Sequence, residues 1–271
     1  MNLSAVAATA VAGVGVYTLY SRSVRLESAE PVNHNTKRLR FALPDPDQPT
    51  GLSLTSAVLT ISWPSGSWLP TIRPYTPTND INKPGFIELL VKHYPGGKQS
   101  THLHSLKPDD SIIMIRGVPP GYRWTANQHP HVALIAGGAG ITPMYQLSRG
   151  ILNNPEDKTK ITLVWGVNSD ADIFLREEFS ALEKKFPGRF RAVYVVSNPE
   201  PGSLHPKGYV DKQILDKAGL SGKDAWNSDT KVFVCGPPAM EKALTGAKGF
   251  GKPKGGILTE LGYTPAQIHR F

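Results

Sequence analysis

The sequence predicts a two-domain α+β protein, an antiparallel β-barrel followed by an α/β domain built on a parallel sheet. Three observations carry this expectation. Residues from about 23 to 118 read as short strands separated by turns. From about residue 131 strands alternate with helical stretches. Two apolar strands of that second half stop at glycine-rich turns that run straight into helices.

The chain has 271 residues, 39% hydrophobic and 19% charged, enough for one or two domains with real cores. Many of its 26 Gly and 24 Pro lie at turns between short runs, which argues for a β-rich part. A single cysteine, Cys235, excludes an internal disulfide framework. The formal net charge is +8, from 30 Lys+Arg against 22 Asp+Glu. Such a balance is read equally as plain solubility or as attraction to an acidic partner or an anionic membrane surface. Lys and Arg are dispersed, with no long basic run, so no nucleic-acid partner is expected.

Taken in order, residues 3–20 are 18 residues without a charge, followed by Arg22 and Arg25. That length is near the short end for a bilayer-crossing helix, and the flanking positive charge favours a cytosolic carboxyl-terminal part. Residues 1–22 are therefore expected to be an amino-terminal membrane anchor. Residues 23–118 form the first domain, with strands expected at 24–28, 37–43, 57–62, 86–94 and 112–117. Residues 119–130 read as a linker. Residues 131–271 form the second domain, with strands at 132–136, 161–165, 191–196 and 232–235. Helices are expected between them at 143–152, 175–186, 210–217 and 239–243. This alternation implies a parallel sheet covered on both faces.

The chemistry concentrates at four short motifs. In LIAGGAGITPM, Gly137, Gly138 and Gly140 let the chain turn sharply and let a ligand approach the main chain. Thr142 suits a helix N-cap and Pro143 the first helical position. Strand, glycine turn and helix start together suit a phosphate-bearing ligand. The match to G-x-G-x-x-G is partial, because Pro143 replaces the last glycine, and the P-loop lysine is absent. An ordinary glycine-rich turn stays open on this motif alone. KVFVCGPPAM repeats the pattern, with Cys235 at the strand end. Without a nearby His or a C-x-x-C, Cys235 reads as neither nucleophile nor metal ligand. In IRPYTPTN, strand alternation puts Arg73 and Tyr75 on one face and Thr76 on the other. Arg suits phosphate, and Tyr offers a ring and a hydroxyl. HYPGGKQSTHLHSL places Lys98 and Ser100 after a Gly-Gly turn, at the start of a short helix. His102 and His104 fall on different sides of that helix, so no metal site is expected.

In order, RPYTP, GGKQS, GGAGITPM and CGPPAM resemble the NADH-cytochrome b5 reductase family of ferredoxin-reductase-like flavoproteins. The resemblance runs from about Leu26 to Phe271 and includes the aromatic carboxyl terminus. The anchor, with NTKRLRF, HLHSL and LTELGYT, most resembles the fungal mitochondrial member. It implies FAD on the barrel and NADH on the α/β domain. Arg73 would meet the FAD pyrophosphate, Tyr75 the ribityl and flavin region, and Thr76 the flavin near N5, with Pro74 also among the cofactor-binding residues. Leu90 and Lys92 would contact the flavin from their strand, with Lys98, Gln99 and Ser100 at the phosphates and Thr142 near the ring. Gly137, Gly138, Ala139, Gly140 and Ile141 would line the NADH cleft. Cys235, Gly236, Pro237, Pro238 and Met240 would face the nicotinamide and adjacent phosphates. No side chain is needed as acid or base for hydride transfer, so no catalytic residue is assigned. The implied acceptor is an acidic haem protein such as cytochrome b5. The implied location is the mitochondrial outer membrane with the catalytic part facing the cytosol, with the endoplasmic reticulum or release into the intermembrane space as alternatives.

Three positions depart from the family pattern. Gln99 stands where many relatives have Met, Ala139 where many have Thr, and Ser197 where a strand often ends in Asp. That Asp binds the adenine ribose and disfavours the 2′-phosphate of NADPH. NADH is the expected donor, and an NADPH-preferring reductase of the same fold is the alternative. A membrane-anchored flavoprotein serving as a non-enzymatic assembly factor is the other.

Overall fold

In the computed structural model, residues 6–11, 16–64, 67–116, 121–221, 229–246 and 255–271 are described. The chain divides into two compact units, Met1–Trp124 and Thr125–Phe271.

The first unit is antiparallel. Its strands are β1 (Val6–Val11), β2 (Val16–Asn33), β3 (Thr36–Ala42), β4 (Val58–Ser62), β5 (Thr71–Tyr75), β6 (Phe86–Lys92) and β7 (Ser111–Arg116). They pair in the order β5-β4-β7-β2-β3-β6, with β1 on β2. Alternation builds the core. Leu39 and Phe41 of β3, Ile87, Leu89 and Val91 of β6, and Ile112 and Met114 of β7 are buried in one cluster. Helix α1 (Lys98–Ser105) adds Leu103 to that cluster and packs on both β5 and β6, the two ends of the strand order. It thus spans the seam that the strands leave.

The amino-terminal segment differs from the sequence expectation. Where residues 3–20 are described they form β1 and the start of β2, paired from Val6 with Ser21 to Val11 with Val16. Val, Thr and Tyr in these segments suit a paired strand. No helix among the described residues is long and apolar enough to cross a membrane. Residues 117–120, where the expected linker begins, lie outside the described residues.

The second unit has five parallel strands in the order β10-β9-β8-β11-β12. These are β8 (His131–Gly137), β9 (Lys160–Val167), β10 (Phe190–Val196), β11 (Lys231–Cys235) and β12 (Ile268–Arg270). β8 is central and buried along its whole length, as its unbroken apolar run requires. Helices α2 (Ile141–Asn153), α3 (Arg176–Lys185), α4 (Lys212–Lys217), α5 (Pro238–Thr245) and α6 (Ile257–Glu260) cover the sheet. Ala133, Ile135, Val164 and Val234 pack with Leu215, Leu244 and Leu258 from α4, α5 and α6. On the alternate rows, Trp165 meets Phe179 of α3 edge-on, and Phe179 meets Tyr145 of α2. β12, not expected from sequence, pairs with β11, and the Phe271 amide donates to the Val234 carbonyl at 3.1 Å.

Candidate functional site

In the second unit the strand order reverses at β8. β9 and β10 lie to one side and β11 to the other, so the carboxyl ends of β8 and β11 form the switch point where open α/β sheets take ligands. GGAG and CGPP meet there. A side chain on Gly140 would fall 2.2 Å from the Cys235 carbonyl oxygen and 2.5 Å from its carbon. One on Gly137 would strike Met240 Sδ at 2.7 Å and Pro237 Cδ at 2.8 Å. Gly140 is therefore needed because the two turns touch main chain to main chain there, whereas at Gly137 the excluding neighbours are the Pro237 ring and the Met240 side chain. A cradle this tight suits an extended phosphate-bearing ligand lying across both turns.

Several details depart from the sequence expectation. Thr142 is not the N-cap. A 3₁₀ turn, Gly138–Gly140, runs directly into α2, which starts at Ile141 with Gly140 as its cap. Thr142 instead lies in the first turn, and its hydroxyl donates to the Ala139 carbonyl at 3.2 Å. α5 starts at Pro238, one residue earlier than expected, because proline at the first helical position loses no hydrogen bond. Met240 packs over Gly137 and Gly236. Ile141 is buried beneath the turn.

Two residues that support this site escaped the sequence reading. Trp165 Nε1 donates to the Gly138 carbonyl at 3.0 Å, from a fully buried ring on β9. Glu241 Oε1 accepts from the Gly236 amide at 3.2 Å. An acidic residue in the first turn after a proline start was the available signal for Glu241. Trp165 had none, since its partner is 27 residues away. Burial, and then the negative charge of Glu241, push the Cys235 thiol up to about 12. The thiol is neutral at pH 7.

Ser197 follows β10, and its amide and hydroxyl donate to the Val167 carbonyl at 3.0 and 3.3 Å. The carboxylate nearby belongs to Asp170, just after β9. It accepts from Ser203 Oγ at 2.6 Å and from the Glu200 amide at 2.9 Å, which hold its pKa below the usual carboxylate range.

In the first unit, β5 carries Arg73 and Pro74 exposed and Tyr75 half-buried, and Thr76, just after the strand, is half-buried. The Arg73 guanidinium makes a local bond to the Ile72 carbonyl at 2.8 Å. Burial pushes the Tyr75 hydroxyl up to about 12, against the opposing Arg73 charge. Leu90 and Lys92 are buried, on the row of β6 opposite Leu89 and Val91. Beside β5 stands the start of α1, capped by Gly97 with no side-chain bond, which leaves its first amides for a ligand. Lys98 is exposed there. Ser100 Oγ accepts from the Tyr94 amide at 3.2 Å and donates to the Gly97 carbonyl at 3.1 Å, shaping the turn. The Gln99 side chain turns inward to β4. The exposed Arg73 guanidinium, the uncapped amides of α1 and Lys98 are all groups able to bind an anion such as a diphosphate.

Residues 23–121 match the oxidoreductase FAD-binding domain family and residues 134–245 the oxidoreductase NAD-binding domain family. The chain is 48% identical over 252 residues to NADH-cytochrome b5 reductase 2 of Emericella nidulans, covering 92% of this chain and 77% of that protein. To NADH-cytochrome b5 reductase 2 of Pyricularia oryzae it is 49% identical over 252 residues, covering 92% and 75%. Among solved structures it is similar to the cytochrome b5 reductase domain of Ulva prolifera nitrate reductase. The TM-score is 0.79 at 27% identity, over 93% of this chain and 97% of that one.

Proposed function

The chain belongs to the NADH-cytochrome b5 reductase family, and from that membership we propose that it is an FAD-dependent oxidoreductase. It passes a hydride from NADH to flavin and then single electrons to cytochrome b5 or a similar haem protein. The observation that carries the reading is the main-chain contact between Gly140 and Cys235 at the switch point of a parallel sheet.

FAD and NADH supply the redox chemistry when bound, and the chain's residues bind and orient them. Arg73, Lys98 and the first amides of α1 hold the FAD diphosphate, with Tyr75 and Thr76 toward the flavin. The Gly137–Ile141 and Cys235–Pro238 turns hold the nicotinamide nucleotide. The neutral Cys235 thiol beside them adds no charge and takes no proton.

An anaerobic absorbance spectrum before and after stoichiometric NADH, then NADPH, tests this. Bleaching of a flavin spectrum by NADH is expected. Flavin that neither nucleotide reduces would refute the enzymatic reading and favour the non-enzymatic flavoprotein. Equal bleaching by NADPH would overturn the preference for NADH, with Ser197 in place of Asp as the reason.

We further propose that residues 1–22 associate with a membrane, the mitochondrial outer membrane, with the catalytic part facing the cytosol. The support is the run of 18 uncharged residues before Arg22 and Arg25. Full solubility after carbonate extraction of membranes would refute it. The net charge of +8 supports an acidic acceptor, and its reduction rate should fall as salt rises.

A further inference from the structure

The inner face of β4 is unusual. Its buried row is Val58, Thr60 and Ser62, so two of the three side chains it turns to the core are hydroxyls. Gln99, in the first turn of α1 and only 3% exposed, satisfies both. Ser62 Oγ donates to Gln99 Oε1 at 2.6 Å, Gln99 Nε2 donates to Thr60 Oγ1 at 2.8 Å, and Thr60 Oγ1 donates to the Arg73 carbonyl at 3.2 Å. All three bonds run in one direction, and each hydroxyl hydrogen is used once. With the amide turned over, Thr60 could donate to the amide oxygen only by releasing Arg73, and the Ser62 hydrogen would lose its acceptor. The relay therefore sets the orientation of the amide as well as its position.

The relay joins two places. One is Gln99 itself, in the middle of the relay and next to Lys98 at the uncapped start of α1. The other is the main chain of Arg73, which pairs with Thr60 across the β4–β5 ladder. Both places carry groups able to bind an anion. We propose that Gln99 is a positioning residue, whose buried amide sets the spacing between Arg73 and the start of α1 and so governs FAD retention without its side chain touching the cofactor. This rests on the FAD reading above.

Gln99→Met alone would leave two buried hydroxyls without this partner and lower stability by that route. The triple variant Gln99→Met/Thr60→Val/Ser62→Ala removes the polar groups together, a change that can be nearly neutral for folding. FAD release from the holoenzyme, followed by the rise in flavin fluorescence, is the readout, with the melting temperature measured beside it. The triple variant should melt near the wild type and release FAD about tenfold faster, the loss of roughly one hydrogen bond's worth of alignment. FAD release at the wild-type rate would overturn the proposal. Should the triple variant not fold, Thr60→Val cuts the link to Arg73 alone. It should speed FAD release, with Thr60→Ser restoring the wild-type rate, and an unchanged rate in Thr60→Val overturns the proposal equally. Wild-type protein that holds no flavin would instead remove the FAD reading itself.

Discussion

Replacing Gly140 by Ala adds one methyl group where the two nucleotide turns meet. Gly140 has φ −62° and ψ −2°, angles an alanine adopts without strain, so any effect comes from contact. The added carbon would lie 2.2 Å from the Cys235 carbonyl oxygen, 2.5 Å from its carbon and 3.0 Å from the Gly236 nitrogen. These are main-chain atoms and cannot rotate away. Ordinary contact begins at 3.4 Å, so the turns must part by about 1.2 Å, the difference between 3.4 and 2.2. A misplacement of about 1 Å in a positioned ligand costs on the order of 10²-fold in rate. The overpacking itself should cost about 1–3 kcal/mol of stability. Stopped-flow reduction of the flavin by NADH is the assay. Gly140→Ala should lose about a hundredfold in kcat/KM for NADH, roughly 2.7 kcal/mol of barrier. It should keep its flavin, because Arg73 and α1 belong to the other unit. A variant with wild-type kcat/KM for NADH would refute the claim that the contact between the two turns shapes the nucleotide site.

Other perturbations probe the same unit. His131 is buried, and burial first, then the charges of Lys160 and Arg191, lower its pKa to about 4. The unfolded chain takes up this proton near pH 6.5, so the contribution is intact above pH 6.5 and is lost as pH falls toward 4, at most roughly 3 kcal/mol. His131→Asn should lose correspondingly less stability over that interval in urea titrations, and parallel profiles would reject the assignment. Trp165→Phe removes the donor to the Gly138 carbonyl and should lower stability by about 1–3 kcal/mol while raising KM for NADH; an unchanged KM would mean the bond does not support the turn. With its pKa near 12 against an ordinary 9.0, Cys235 should react with iodoacetamide at pH 8 about a thousandfold more slowly than a free thiol. Alkylation of the native protein at the free-thiol rate would contradict that.

Much of the architecture was legible because it depends on neighbours in sequence. The apolar runs of β8 and β11, each ended by glycine, identified both strands and both turns. Pro143, suited to the first turn of a helix after the glycines, marked α2. RPYTP begins on β5, and GGKQS marked the start of α1. β5 and β12 were less legible. β5 holds a proline and three exposed residues and is a strand because β4 pairs with it. β12 has three residues and exists because the chain returns to the open edge of β11. Local pattern cannot report a partner that arrives from far along the chain.

The same division holds within the sites. The sequence by itself determined which residue types were available at the turns: the glycines, Arg73, Lys98 and the single thiol. It also determined the length of the uncharged amino-terminal run, though its observed pairing as strands depended on β2. Only the tertiary structure decided that Gly140 must be glycine, since the carbonyl that excludes a side chain lies 95 residues away at Cys235. Only it turned the Gln99 side chain inward onto Thr60 and Ser62, 39 and 37 residues earlier. Hydrogen-bond satisfaction and steric exclusion are properties of what surrounds an atom in space, and folding alone brings those surroundings together.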